Sequence, residues 1–344
     1  MTIFFIPYHK IGGAERVHLN IIKSLSRKPI VFFTNQHKSQ NFGEFEELAY
    51  CLNINNDSKF KFVKILARIL SRFTKLIVFG SNSRFFFEFI DVVRCAKTID
   101  LTHAFSFPEI WLEKYSLNYL HRLDTRVVIN QVTRDNFRVL YKENRVSLKF
   151  LDRISIIPNG IEIFPFDPNL IQTRFNNFKI GWVGRNSPEK RLNLFLEILK
   201  SNNYRGKIIT DILSGTIDDE IEVTLNVSSP DKIRDEFSSI SVLIVTSSRE
   251  GFPLVVMEAM ELGIPIISTD VGSIHEHVIN GYNGYIYSNE SSENYNSFVQ
   301  GKLKNMVDDL LFYKEIANNA RFHAEKHFDL KLTSTLYKEI FDEG

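Results

Sequence analysis

The sequence predicts an α/β protein built from two domains, each with a mainly parallel sheet. Three observations carry that prediction. Short apolar runs alternate with helical patterns of ten or more residues. The alternation halts at a turn and a linker near residue 160 and then starts again. The chain has 344 residues, more than the roughly 250–300 at which one core stops growing. Composition agrees: 44% hydrophobic and 24% charged residues set aside disordered, collagen-like and disulfide-stapled classes.

In order, Ile3–Ile6 is a strand pattern, followed by a Gly12-Gly13 loop and a helical pattern over Arg16–Leu25. Ile30–Phe33 is the next strand. Phe60–Phe73 reads as helix, Leu76–Phe79 as strand, Arg84–Ala96 as helix and Leu101–Ala104 as strand. Val127–Ile129 and Ile154–Ile157 are two further strands. Pro158-Asn159-Gly160 is a turn, and Phe164-Pro165-Phe166-Asp167-Pro168 a linker. The second series begins with strand Lys179–Val183, which ends at Gly184, and helix Leu192–Leu199. Strands Ile208–Ile212 and Val242–Val245, helix Val255–Leu262 and strand Ile264–Ser268 follow, and Val307–Lys326 is helical in pattern. The expected division is a first domain over 1–160, a second over 161–325, and a helical tail over 326–344 that packs back toward the first domain. No internal repeat or low-complexity stretch stands out.

Cys51 and Cys95 are too few for a disulfide framework and suit a reduced cytoplasm as small hydrophobes. The N-terminus has too short an apolar run for a signal peptide, and no run approaches the roughly 20 residues of a membrane span. The expected location is the cytoplasm, at the inner face of the cytoplasmic membrane. The net charge of +1 hides an asymmetry: residues 1–160 carry 24 Lys+Arg against 14 Asp+Glu, and residues 161–344 carry 18 against 27. A basic half joined to an acidic half points to an anionic partner on one side.

Two segments carry most of the chemistry. In Gly184-Arg185-Asn186-Ser187-Pro188-Glu189-Lys190, a loop leaves a strand and opens a helix. Arg185 and Lys190 can both reach one diphosphate there, Arg with a fork and Lys with a point charge. A solvated basic turn would look the same. The second segment, Ser247 to Glu258, runs from a strand through a Gly-containing turn into a helix. Free N–H groups at that helix start can hold an anion, and Glu258 can reach a ribose hydroxyl pair. Read blandly, Glu250 is a helix-start charge and Glu258 a surface residue.

Together these segments resemble the retaining glycosyltransferases of family 4, which have the GT-B fold. The resemblance rests on Gly12-Gly13-Ala14-Glu15, Ile156 to Ile161, and Val183-Gly184-Arg185 through Glu189-Lys190. It continues through the Glu-x7-Glu pair Glu250 and Glu258, Ser268 to Gly272, and Asn280 to Gly284, in order over about 280 residues. It implies two Rossmann-like domains facing a central cleft, the first binding the acceptor and the second a nucleotide sugar, most commonly UDP-linked. Arg185 and Lys190 would bind the donor diphosphate, with N–H groups near Leu254 and Val255. Glu258 would hold the ribose. Glu250, with the backbone of Gly251, Phe252 and Pro253, would hold sugar hydroxyls. Gly12 and Gly13 would let the first loop approach closely, and His103 would face the donor sugar. The acceptor would be a glycan or a lipid-linked one in polysaccharide or glycolipid synthesis. No Asp-x-Asp occurs, so no metal and no cofactor are expected. Stabilisation of the departing diphosphate by the cations and the helix start would be the main catalytic term. His275 and His277 are read as loop residues, since no further ligands accompany that H-x-H pair. Val128-Ile129-Asn130-Gln131 departs from the family in lacking the serine often found after that strand.

Seven basic residues and no acid lie between Lys59 and Phe87. Lys61, Lys64, Arg68, Arg72 and Lys75 are spaced to share one helical face, with Phe62, Ile65, Leu66, Ile69, Leu70 and Phe73 largely elsewhere. Such a helix can lie on an anionic membrane or serve the acceptor. It could also be a solvated face over a core stripe. A nucleic-acid reading is much weaker, since no binding motif accompanies the charge, and no nucleic-acid partner is expected. The main competing class is a non-catalytic GT-B scaffold, which has no need of His103, Arg185, Lys190, Glu250 and Glu258 together. G-x-G-x-x-G and G-x-x-x-x-G-K-[ST] are absent, which argues against dehydrogenases and P-loop enzymes.

Overall fold

The computed structural model describes every residue except 10–11, 36–41, 55, 109–110, 203, 214–219, 228–229, 289–293 and 343–344. The chain divides into two compact units, Met1–Asn159 with Leu330–Gly344, and Gly160–Asp329.

Unit 1 opens with β1 (Thr2–Ile6), α1 (Gly13–Ser24), β2 (Ile30–Phe33), α2 (Phe45–Leu48), β3 (Tyr50–Asn53) and α3 (Asp57–Leu70). It continues with β4 (Ile77–Ser81), α4 (Arg84–Val92), β5 (Lys97–Thr102), α5 (Leu112–Ser116), β6 (Thr125–Val128), α6 (Gln131–Glu143) and β7 (Ile154–Ile156). The seven strands form one parallel sheet in the order β3-β2-β1-β4-β5-β6-β7. Its central strands are apolar on both faces because helices cover both, so they read as unbroken runs rather than alternating ones. The core is rich in phenylalanine: Phe5 packs against Phe32 and Phe89, and Phe4 lies 4.6 Å from Phe79 between ring centroids.

Unit 2 contains α7 (Asn169–Asn176), β8 (Ile180–Val183), α8 (Leu192–Asn202), β9 (Gly206–Thr210), β10 (Ile221–Leu225) and α9 (Pro230–Phe237). Then come β11 (Val242–Val245), α10 (Leu254–Glu261), β12 (Ile266–Thr269), β13 (Gly284–Tyr287), α11 (Tyr295–Asp308) and α12 (Leu310–His327). Its six-stranded parallel sheet has the order β10-β9-β8-β11-β12-β13. The core gathers Trp182, Phe195, Ile244, Tyr295 and Tyr313.

The last helix, α13 (Leu330–Asp342), belongs to unit 1 and packs on α1, with Phe341 stacked near Phe4 and Phe79. Both sheets reverse their winding beside the first strand, between β1 and β4 in unit 1 and between β8 and β11 in unit 2. Ligand crevices of open parallel sheets form at such points, outside the carboxyl ends of the strands.

Several elements depart from the sequence expectation. Helix α3 ends at Leu70, so Arg72 and Lys75 lie beyond it, and the shared helical face is Lys61, Lys64 and Arg68. Phe60 and Ala67 are buried and Val63 packs half-buried beside them, so a narrow stripe meets the core, while Phe62, Ile65, Leu66, Ile69 and Leu70 are exposed. The edge strands β3 and β10 and helix α6 had not been expected. Asn130, in place of serine, caps α6 by accepting from the Thr133 N–H at 2.8 Å.

Candidate active site

In unit 2 the two motif segments leave the sheet side by side, because β8 and β11 are neighbours. The first loop follows β8, tightens into a short 3-10 turn over Pro188–Lys190, and passes through Arg191 in the left-handed region, φ 49°, before α8. The second follows β11 and enters α10 at Pro253. Thr246 fastens them: its Oγ1 accepts from the Trp182 indole at 3.0 Å and donates to the Lys190 carbonyl at 2.6 Å. Ser248 N–H donates to the Glu189 carbonyl at 2.8 Å, and the Arg191 guanidinium donates to the carbonyls of Thr246 and Ser247.

That stitching sets the side chains. Lys190 Nζ forms an ion pair with Glu250 Oε1, and Ser247 Oγ donates to the same oxygen at 2.8 Å. Both members of the pair are largely buried. A third loop, after β12, supports them from below: Thr269 Oγ1 donates to the Ser247 carbonyl at 2.7 Å, and Ser273 N–H to the Gly251 carbonyl at 2.9 Å. Gly272 in that loop has φ 60°, and a Cβ there would sit 2.2 Å from the Gly251 carbonyl oxygen. Only glycine allows this approach.

Of the residues expected in this unit, the structure therefore brings Lys190, Glu250 and Gly251 together. Arg185 is in the same loop as Lys190 but exposed. Leu254 and Val255 open α10, where the first N–H groups have no intrahelical acceptor. Glu258, one turn further, is half-buried. The Phe252 side chain is buried against His277 and Phe328, at centroid distances of 4.6 and 5.6 Å, so it anchors the loop. Pro253, also buried, sets the entry to α10.

His277 is more than a loop residue. It lies with His323 and His327 in a packed cluster, its Nδ1 3.2 Å from His323 Nε2. Burial and the neighbouring imidazoles lower His277 to about 3 and His323 to about 4, so the cluster is neutral at pH 7. His275, in contrast, is exposed beside Asp270. Among the described residues no group of three His, Cys, Asp or Glu could hold a metal ion. The thiols of Cys51 and Cys95 are free and pushed up by burial, to about 11 and about 12, so both are protonated at pH 7.

In unit 1, Gly12 caps α1 and Gly13 begins it, at the carboxyl side of β1. His103 follows β5, and its Nε2 lies 3.0 Å from Nε2 of His18 on α1, a partner that the sequence reading missed. Burial lowers His103 to about 4 and His18 well below its usual value, so both rings are neutral. One ring therefore donates to the other.

On the basic face, Lys61, Arg68, Arg72 and Lys75 are exposed, while Lys64 leans over the Phe60 ring at 4.4 Å. Arg68 Nε donates to the Val92 carbonyl at 2.9 Å. The residues missed by sequence reasoning, Thr246, Ser247, Arg191 and His18, act through backbone or ring contacts that no spacing reveals. Ser247 alone had a signal, as a hydroxyl three residues before Glu250 in the same turn.

Residues 171–321 match the family model described as Glycosyl transferases group 1. The chain is 25% identical over 360 residues to an uncharacterized glycosyltransferase of Methanocaldococcus jannaschii, covering 95% of this chain and 93% of that protein. It is 24% identical to the capsular polysaccharide biosynthesis glycosyltransferase CapM of Staphylococcus aureus, over 56% of this chain and 54% of the relative. Among solved structures it is similar to HepE of Anabaena in complex with UDP, with a TM-score of 0.77, 17% identity and all of both chains covered. That likeness shows the fold, two Rossmann-like parallel-sheet units of the GT-B kind.

Proposed function

We propose, from the match of residues 171–321 to the family model described as Glycosyl transferases group 1, that the chain is a retaining, metal-independent glycosyltransferase. It moves a sugar from a UDP-linked donor to a glycan or lipid-linked acceptor in cell-surface polysaccharide or glycolipid synthesis. The observation that carries this reading is the Lys190–Glu250 pair, held by three loops at the winding reversal of unit 2. An ammonium and a carboxylate at a helix start can receive an anion and a hydroxyl together. The names of CapM, a capsular polysaccharide enzyme, and of HepE bound to UDP support the donor and acceptor classes.

In this mechanism Lys190, Arg185 and the N–H groups of Leu254 and Val255 hold the donor diphosphate. Glu258 accepts from the ribose hydroxyls. Glu250 and the backbone of Gly251 to Pro253 hold the sugar, while Gly12 and Gly13 admit the phosphates near the first loop. His103, neutral at pH 7, faces the donor sugar and helps to position it. The acceptor hydroxyl attacks the anomeric carbon on the face the diphosphate leaves. The carbon–oxygen bond to phosphate breaks, the bond to the acceptor forms, and the leaving phosphate oxygen takes the proton. No enzyme carboxylate forms a covalent intermediate. Charge stabilisation of the leaving group is the dominant catalytic term.

A thermal-shift screen of nucleotide sugars identifies the donor by mass action, and NMR of the product reads its anomeric configuration with and without EDTA. The expected result is stabilisation by a UDP-sugar and a retained anomer formed equally well with chelator. Stabilisation by no nucleotide sugar, or an inverted product, overturns the reading.

A further inference from the structure

The face of α3 that points away from the core is apolar. Phe62, Ile65, Leu66, Ile69 and Leu70, with Phe73 in the turn that follows, are all exposed, Phe62 by 66% and Phe73 by 83%. Their spacing is that of an amphipathic stripe, but the stripe faces outward. Phe60 and Ala67, on the opposite side, hold the helix to the core. A run of six large exposed apolar side chains on one short element is the mark of an interaction surface rather than of an ordinary solvated helix.

Charge says what kind of surface it meets. Lys61, Lys64 and Arg68 flank the stripe along the helix, and Arg72 and Lys75 continue the charge beyond it. Asp57, in the first turn, is the only acid between Asn56 and Phe87. A second feature adjoins the end of this segment. A recess of about 690 Å³ opens at the amino ends of β1 and β4, lined by Thr74, Lys23, Arg27, Lys28 and Lys338, with Asp342 as its one carboxylate. Thr74 belongs to the turn that carries Phe73, so the exposed ring and the basic recess share a stretch of chain. Apolar side chains beside lysines and arginines match an interface that is apolar inside and anionic at its surface. A protein partner would need to match the stripe with apolar groups and the recess with acids separately; a bilayer of anionic lipid supplies both in one layer.

We propose that unit 1 docks on an anionic lipid bilayer, with the outward face of α3 in the headgroup–acyl boundary and the recess at Lys23, Arg27, Lys28 and Lys338 receiving lipid phosphate. Docking uses no residue of the nucleotide-sugar site, so it stands apart from the catalytic reading.

The test is flotation of the full chain with vesicles of phosphatidylcholine alone and of phosphatidylcholine mixed with phosphatidylglycerol, whose negative surface potential attracts lysine and arginine. Two multiple variants are compared, F62S/I69S/F73S and K23Q/R27Q/K28Q. All the replaced side chains are exposed, and unfolding curves and nucleotide thermal shifts should match the parent chain. The expected result is binding to the anionic vesicles only, weakened about tenfold or more in each variant and by raised salt. Equal binding to both vesicle types, or wild-type binding by both variants, overturns the proposal. So does a chain that ignores vesicles but dimerises in sedimentation through the same apolar residues, since a second copy then covers the face. Because no donor or acceptor is present, a failed glycosyltransferase assay leaves this outcome readable.

Discussion

Lys190 and Glu250 neutralise one another. A diphosphate arriving at Lys190 competes with that carboxylate, so Glu250→Gln should bind UDP as well as the parent or better. The same change removes an acceptor for sugar hydroxyls, and turnover should fall by roughly a hundredfold or more. Calorimetry with UDP and steady-state kinetics together check the split; equal losses in both would contradict it. A second residue-scale case lies in unit 1, where the buried Arg126 donates to Asp100 at 2.8 Å, to Ser116 Oγ and to Tyr141. Burial raises Asp100, and Arg126 opposes that rise. Arg126→Leu leaves a buried carboxyl without its partner, and denaturant unfolding should show a loss of about 3–5 kcal/mol. The histidines give a pH dependence. His103, His277 and His323 lie near 4, 3 and 4 in the fold, below the usual 6.5. Between those values the unfolded chain binds more protons, so stability is complete above about pH 6.5 and is lost as pH falls toward 4. Melting curves should fall across that window, with a shallower slope for His277→Phe; a flat profile would refute the burial argument. Of these residues the motif reading found Lys190 and Glu250, which sit at fixed offsets from Gly184 and Gly251, and His103 by its place at the end of a strand. It missed His18, which only the packing of α1 against the end of β5 brings within 3.0 Å.

At the scale of the element, Gly272 carries more of the site than its size suggests. Replacing it with alanine forces a Cβ against the Gly251 carbonyl and strains a left-handed residue. The 250–251 turn must shift, and Gly272→Ala should cost about 1–3 kcal/mol and weaken the nucleotide-sugar thermal shift in the same preparation. Legibility at this scale followed burial. β1, β4 and β11 are unbroken apolar runs because both faces are covered, and each was readable. β3 and β10 are edge strands, half exposed, with mixed sequences that carry neither a run nor a clean alternation. Helix α6 had a readable stripe in Thr133, Phe137, Leu140 and Tyr141 behind the Asn130 cap. For α3 the period was legible and left two readings open, an outward apolar stripe or a core stripe; the large apolar residues face outward.

For the whole molecule, α13 returns the chain to unit 1 after unit 2 is complete. Tyr337, Ile340 and Phe341 are buried in unit 1, with Phe341 against Phe4 and Phe79. Ending the chain after Asp329 should destabilise unit 1 by at least about 3–5 kcal/mol, the cost of losing one large aromatic from a core. Limited proteolysis should then cut residues 1–159 first while 160–329 persists. The crossings between units are themselves paired. Ile161 bridges Asp329, and the Ile161 N–H donates to the Phe328 carbonyl at 2.8 Å. Unit 2 thus enters and leaves at adjoining points, like a cassette with both ends at one seam. A recombination event replacing 160–329 would therefore make both of its joins at one place in the fold.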